Sequence, residues 1–222
     1  MLLQQLAMSP KNLKTPSFWP DVGILALLTA PFFLNDFIFL NIETAPQWLA
    51  ADYGSKMLAL TLLFAVLPLR RVAASTIKLK ATLKEAVTLA VLSTGAVIFA
   101  NYFFRVLVPI EIESLVLFRY PPLTPGLFYW TDITFGLALT AVSEEFVFRG
   151  VFAVLAARYL SGTAAMVLVS AIVFALIHWS HGLTSMVVAG IAGVVLMVLY
   201  LRTGSVLPGI AAHYAINFAD FL

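Results

Sequence analysis

Seven stretches of this chain are too apolar and too long for the half-buried elements of a soluble domain: 18–40, 54–69, 85–108, 127–158, 163–180, 183–201 and 206–222. A backbone that crosses hydrocarbon has no water to bond, so each such run must satisfy its own N–H and C=O groups as a helix. About 20 apolar residues are enough for one crossing. Composition agrees, since 62% of the residues are hydrophobic and 11% are charged, against roughly 25% charged in a soluble domain. The 13 Lys and Arg leave a net charge of +2 and form no basic patch. An ordinary cytosolic enzyme, a disordered tail and a nucleic-acid binder are thereby excluded. The expected fold is all-α, a polytopic transmembrane helix bundle of about seven spans with a polar catalytic cavity inside. Residues 1–125 read as N-terminal transmembrane helices and loops, and 126–222 as a catalytic helical core, within one integral membrane domain. Cysteine is absent, which removes disulfides, thiolate metal sites and a thiol nucleophile.

Two details of the runs matter for the topology. The first follows Lys11 and Lys14 and carries no small-residue cleavage site, so it reads as an uncleaved span. The fourth has 32 residues, roughly 48 Å at helical rise, and is expected to tilt and protrude or to break near Gly136, Ser143 or Gly150. Pro121, Pro122, Pro125 and Gly126 precede it as a loop, and Phe128, Tyr129 and Trp130 form an interfacial belt. With the N-terminus inside, nine of the thirteen cations fall on inner segments: Lys11, Lys14, Arg70, Arg71, Lys78, Lys80, Lys84, Arg158 and Arg202. Lys56, Arg105 and Arg119 fall outside, beside Asp36, Glu43, Asp52, Glu111 and Glu113. This bias predicts a cytoplasmic N-terminus, and the expected location is the plasma (inner) membrane.

Ionisable residues within apolar spans are costly unless paired, and each is a candidate for function. The second half of the chain holds three such clusters: Ser143-Glu144-Glu145-Phe146-Val147-Phe148-Arg149-Gly150, Phe174-Ala175-Leu176-Ile177-His178 and His213-Tyr214-Ala215-Ile216-Asn217. Glu145 and Arg149 are four apart, share a helix face and neutralise each other. Glu144 points about 100° away from them and must find its partner on another helix. His213 and Asn217 again present polar groups one turn apart. Brought together, these side chains supply a carboxylate that can take a proton from water and donors that can hold an oxyanion. That combination suits hydrolysis of an acyl bond, above all a peptide bond.

Glu-Glu-x-x-x-Arg, Phe-x-x-x-His and His-x-x-x-Asn, each on its own apolar run and in this order, resemble the CAAX protease and bacteriocin-processing family of intramembrane proteases. The family includes the Ras-converting endopeptidase and the Abi proteins. The resemblance covers about 128–222 and extends to Leu201-Arg202-Thr203-Gly204-Ser205-Val206-Leu207-Pro208. It implies a glutamate-dependent protease in which Glu144 and His178 activate water and His213 and Asn217 form the oxyanion hole. Glu145, Arg149 and Phe174 would support that geometry. No cofactor is expected. Two His and one Glu can bind zinc, but the spacing lacks a His-Glu-x-x-His signature. The implied substrate is a membrane-associated protein cut near its C-terminus, with a sorting or lipidated tail, and the other partner is the lipid bilayer. No nucleic acid is expected.

Plainer readings stand beside these. Glu145 with Arg149 is a structural ion pair. His213 and Asn217 can simply knit helices by hydrogen bonds. His181 reads as interfacial and Asp132 as a residue near an outer helix end, favourable to the dipole. Gly182, Gly190 and Gly193 permit close packing. The alternative function is a non-catalytic membrane immunity or binding protein of the bacteriocin self-immunity type, and a third reading is a zinc-dependent version of the same protease.

Overall fold

The computed structural model describes residues 18–119, 124–160 and 162–221. Lys11 and Lys14 of the orientation signal, and Pro121 and Pro122 of the loop, lie outside the described residues. Among the described residues all regular structure is helical, and one isolated antiparallel bridge joins Val116 to His181.

The chain begins with α1 (Phe18–Phe39), α2 (Ala45–Ala65) and the short α3 (Leu67–Ser75). It continues through α4 (Leu83–Tyr102), which runs on as a π-helical turn, Phe103–Leu107. A composite helix, α5 (127–156), follows, and then α6 (Thr163–Leu176), α7 (Leu183–Thr203) and α8 (Leu207–Ala219). By length and hydropathy α1, extended α4 and α7 are fit to cross a membrane, and α2 with α3 makes a fourth if that bent pair is one span. The chain is an integral membrane protein.

Of seven expected spans, three or four thus pass on length and hydropathy together. The physical reasons differ from run to run. The second run turns by 99° between α2 and α3, because Pro68 has no N–H to give the carbonyl four residues back and its ring crowds it. Helices α6 and α8 have 14 and 13 residues, roughly 20 Å each, shorter than the hydrocarbon thickness of about 30 Å.

The fourth run does not break. Leu127–Thr131, Asp132–Gly136, Leu137–Glu144, Glu145–Val151 and Phe152–Ala156 follow without a gap, the second and fourth pieces being π-helical. Of the two alternatives, the break near Gly136, Ser143 or Gly150 does not occur; two widened turns stand there instead and re-aim side chains while keeping the backbone bonded. Every residue from 143 to 156 is buried, so this stretch is the axis of the bundle. One hydrophobic core surrounds it, joining Leu28 and Phe32 of α1, Leu63 of α2, Phe148 of α5, Phe174 of α6 and Leu196 of α7.

Helices α6 and α7 pack along each other. Gly193 allows this, because a Cβ there would stand 2.8 Å from the Ala171 Cα. The two ends of the bundle differ in charge. At one end Val206 N–H donates to Thr76 O (2.9 Å), Lys80 N–H to Thr203 O (2.8 Å), and Arg158 pairs with Asp21 (2.7 Å). Arg70, Arg71, Lys78, Lys80, Lys84, Arg158 and Arg202 gather there. At the other end Leu117 N–H donates to Ser180 O (2.9 Å), Leu183 N–H to Glu111 (3.0 Å) and Asn101 to Asp220 (2.9 Å). Carboxylates predominate at that end, with Glu43, Glu111, Glu113 and Asp220 beside Arg105 and Arg119.

Candidate active site

The three sequence clusters converge on the middle of α5. Glu144 closes its central α-helical piece and Glu145 opens the π-helical one. This places both carboxylates against His213 of α8. His213 Nδ1 lies 2.9 Å from Glu145 Oε1, and its Nε2 lies 3.7 Å from Glu144 Oε2. A carboxylate only accepts, so Nδ1–H donates to Glu145, and Nε2 is the edge turned toward Glu144. Glu145 thus does more than the sequence assigned to it, since it engages Arg149 at 3.2 Å and His213 at once. Gly209 makes room for this carboxylate, because a Cβ there would stand 2.8 Å from Glu145 Oε2.

Arg149 is fully buried. Its charge is met by Glu145 and by the Phe174 ring, whose centroid is 4.1 Å from the guanidinium carbon, a cation–π contact strengthened by the absence of water. The same ring touches the edges of His178 and His213, at centroid distances of 5.1 and 5.9 Å. Phe174 is therefore the hub on which the cluster is packed.

His178 lies just beyond α6 and its Nδ1 is 2.9 Å from the Phe174 carbonyl. A carbonyl only accepts, so Nδ1 is protonated and the neutral ring keeps its lone pair on Nε2. Glu144 Oε2 is buried without a hydrogen-bond partner. Glu144, His178 and Asn217 line a cavity of about 580 Å³, and a second cavity of about 360 Å³ is lined by His178, His213 and Asn217. Among the described residues no group of three or more His, Asp or Glu is arranged to hold a metal ion.

The first half of the chain reaches the same cavity, which the sequence did not reveal. Asp36 of α1 and Asp52 and Lys56 of α2 line it; these residues, read as outer-segment charges, lie within helices. Asp52 pairs with Lys56 one turn on, Ser180 Oγ donates to Asp36 (2.6 Å), and Asn35 Nδ2 donates to Asp52 (3.5 Å). The four-residue spacing of Asp52 and Lys56 was the available signal. Asp132, read as a helix-end charge, opens a π-helical turn of α5, accepts a hydrogen bond from Tyr53 OH (3.0 Å) and lines the cavity as well. His181 stands at the cavity wall, its ring 5.5 Å from Phe118.

Fold and site together define an integral membrane helix bundle whose axis carries a buried carboxylate–imidazole cluster at the wall of a cavity. Residues 126–219 match the model of a family described as type II CAAX prenyl endopeptidase Rce1-like, the family that the motifs resemble. The matched segment is under half of the chain and runs from the loop before α5 to the end of α8, so it contains every member of the cluster. No curated protein and no solved structure matches the chain.

Proposed function

We propose that this protein is an intramembrane endopeptidase of CAAX type, which hydrolyses a peptide bond near the C-terminus of a membrane-associated protein. The observation that carries this reading is the meeting of Glu144 and Glu145 with His213, and of His178 and His213 with Phe174, at a cavity wall, within the segment that matches the endopeptidase family.

Glu144, with an unsatisfied oxygen, takes a proton from a water that His178 Nε2 also holds. The water oxygen attacks the scissile carbonyl, and the carbonyl π electrons move onto its oxygen. That oxyanion is held by the Nε2 side of the His213 ring and by the Asn217 amide. Glu144 then passes its proton to the departing amine as the C–N bond breaks, which releases a carboxyl and an amine. General base catalysis contributes about 10²–10⁴ in rate, and each oxyanion donor about 10²–10³. Glu145 and Arg149 are positioning residues: the carboxylate fixes the His213 ring from its Nδ1 side, and the guanidinium balances the charge of Glu145.

The charge asymmetry of the two ends supports a cytoplasmic N-terminus. The candidate site's cavity extends toward the acidic end, which supports a substrate presented from the outer face. Water activation by the two side chains needs no metal.

C-terminal peptide profiling of native-host membranes, wild type against Glu144→Gln at matched expression, tests the reading. Cleavage of one or a few membrane proteins is expected to fall by about 10²–10⁴, leaving longer C-termini in the variant. Unchanged termini with the chain present and folded would overturn it. Activity of the purified protein is expected to survive a strong chelator; loss that zinc restores would replace the proposed water activation with a metal-dependent one.

A further inference from the structure

The cavity that holds Glu144 and His178 extends toward the acidic end, where Asp36, Asp52, Lys56 and Asp132 line it; Arg105, Glu111, Arg119 and Asp220 line it as well, so carboxylates outnumber cations. The partners of the first four residues do not balance. Asp52 is neutralised by Lys56. Asp36 and Asp132 are met by hydroxyls, from Ser180 and Tyr53, which satisfy a lone pair without supplying charge. Among the described residues no cation lies within ion-pairing distance of either. Two buried oxygens on this side, Asp132 Oδ2 and Asn35 Oδ1, have no hydrogen-bond partner at all, and both residues are more than nine-tenths buried. At Asp36, Asp132 and Asn35 the deficit is of one kind: acceptors without donors, and at the two carboxylates negative charge without a paired cation. An ammonium or guanidinium group supplies both at once, whereas an anionic or purely apolar group supplies neither.

We propose that this part of the cavity is a specificity subsite for a basic side chain, Lys or Arg, of the polypeptide that is cut, held by Asp132 and Asp36. That the ligand is a substrate rests on the protease reading above; that it is cationic rests on the wall chemistry. Asp132 precedes Glu144 by twelve residues on α5, roughly 18 Å along the helix. An extended chain spans about 3.3–3.6 Å per residue. The basic residue therefore lies within about five residues of the scissile bond, on the side toward the acidic end.

The test uses the purified full chain in lipid nanodiscs and synthetic apolar peptides in which Arg, its neutral isostere citrulline, or Glu is moved along the flank of the cut. Each Arg peptide is compared with its citrulline twin by kcat/KM. The same fluorescently labelled pairs are compared by Kd on the catalytically silenced Glu144→Gln variant. At the best position Arg is expected to be favoured about tenfold, equivalent to about 1.4 kcal/mol, and Glu to be worst. In an Asp36→Asn/Asp132→Asn variant the Arg-to-citrulline ratio is expected to fall toward one. A ratio does not depend on how much of the variant is folded. Cleavage by the wild type with no Arg preference, or a preference that persists in the double variant, would overturn the subsite. A binding preference without any cleavage would keep the subsite and remove the protease reading.

Discussion

Residues 143–156 and helix α4 both read as parts of membrane spans, yet they occupy opposite environments. Every residue of the first is buried. The apolar window of α4 is 11% buried, with Val91, Leu92 and Phe99 facing outward. Apolarity alone does not say whether a helix meets lipid or other helices, since hydrocarbon and a protein core are similar solvents for a Leu side chain. What separates the two stretches is their polar content. Residues 143–156 carry Glu144, Glu145 and Arg149, which must be compensated by neighbours on all sides. Within its apolar window α4 has small polar residues such as Thr94, whose hydroxyl reaches the Ala212 carbonyl (3.5 Å). A buried charged helix fixes its neighbours, whereas a lipid-facing helix only has to lie against them.

The sharpest way to break this contrast is to remove one charge from the axis. Arg149→Leu leaves Glu145 buried with only His213 beside it and is expected to lower stability by about 3–5 kcal/mol. Thermal unfolding in detergent measures this, and a loss under 1 kcal/mol would mean the pair does not organise the bundle. A smaller effect comes from adding a methyl group. Gly209→Ala puts a Cβ against Glu145 Oε2 and is expected to cost about 1–3 kcal/mol, with a further loss of cleavage as the His213 ring shifts. The same substitution on the outer helix has the opposite sign. Gly95 of α4 has nothing within 4 Å of where its Cβ would lie, so Gly95→Ala is expected to raise stability by about 0.5–1 kcal/mol through helix propensity alone. Equal effects at Gly209 and Gly95 would show that the two helices are not so differently packed.

Much of the site was legible because its polar residues come in short, ordered clusters on apolar runs. The four-residue spacing of Glu145 and Arg149 predicted an ion pair, and the structure holds it at 3.2 Å. Gly193 was read as a packing glycine and meets Ala171. The number of spans was harder to read. Hydropathy windows do not register the turn at Pro68 or the brevity of α6 and α8, because they sum transfer preference and ignore where a backbone bends. The π turns of α5 were invisible for a related reason. Whether a helix widens by one residue depends on what its neighbours press against it, and 3.6-residue periodicity carries no trace of that.

The sequence decided that this protein is helical and lies in a membrane, and which residues within it are chemically conspicuous. Those properties follow from transfer free energy and from spacing along a single helix, both local. The tertiary structure alone decided that one imidazole would stand between two adjacent carboxylates, that Phe174 would seat both histidines and the arginine, and that Tyr53 would reach Asp132 across 79 positions of the chain. Such pairings depend on the depth and rotation of one helix against another, set by the packing of side chains far apart in sequence, and no window along the chain contains both partners.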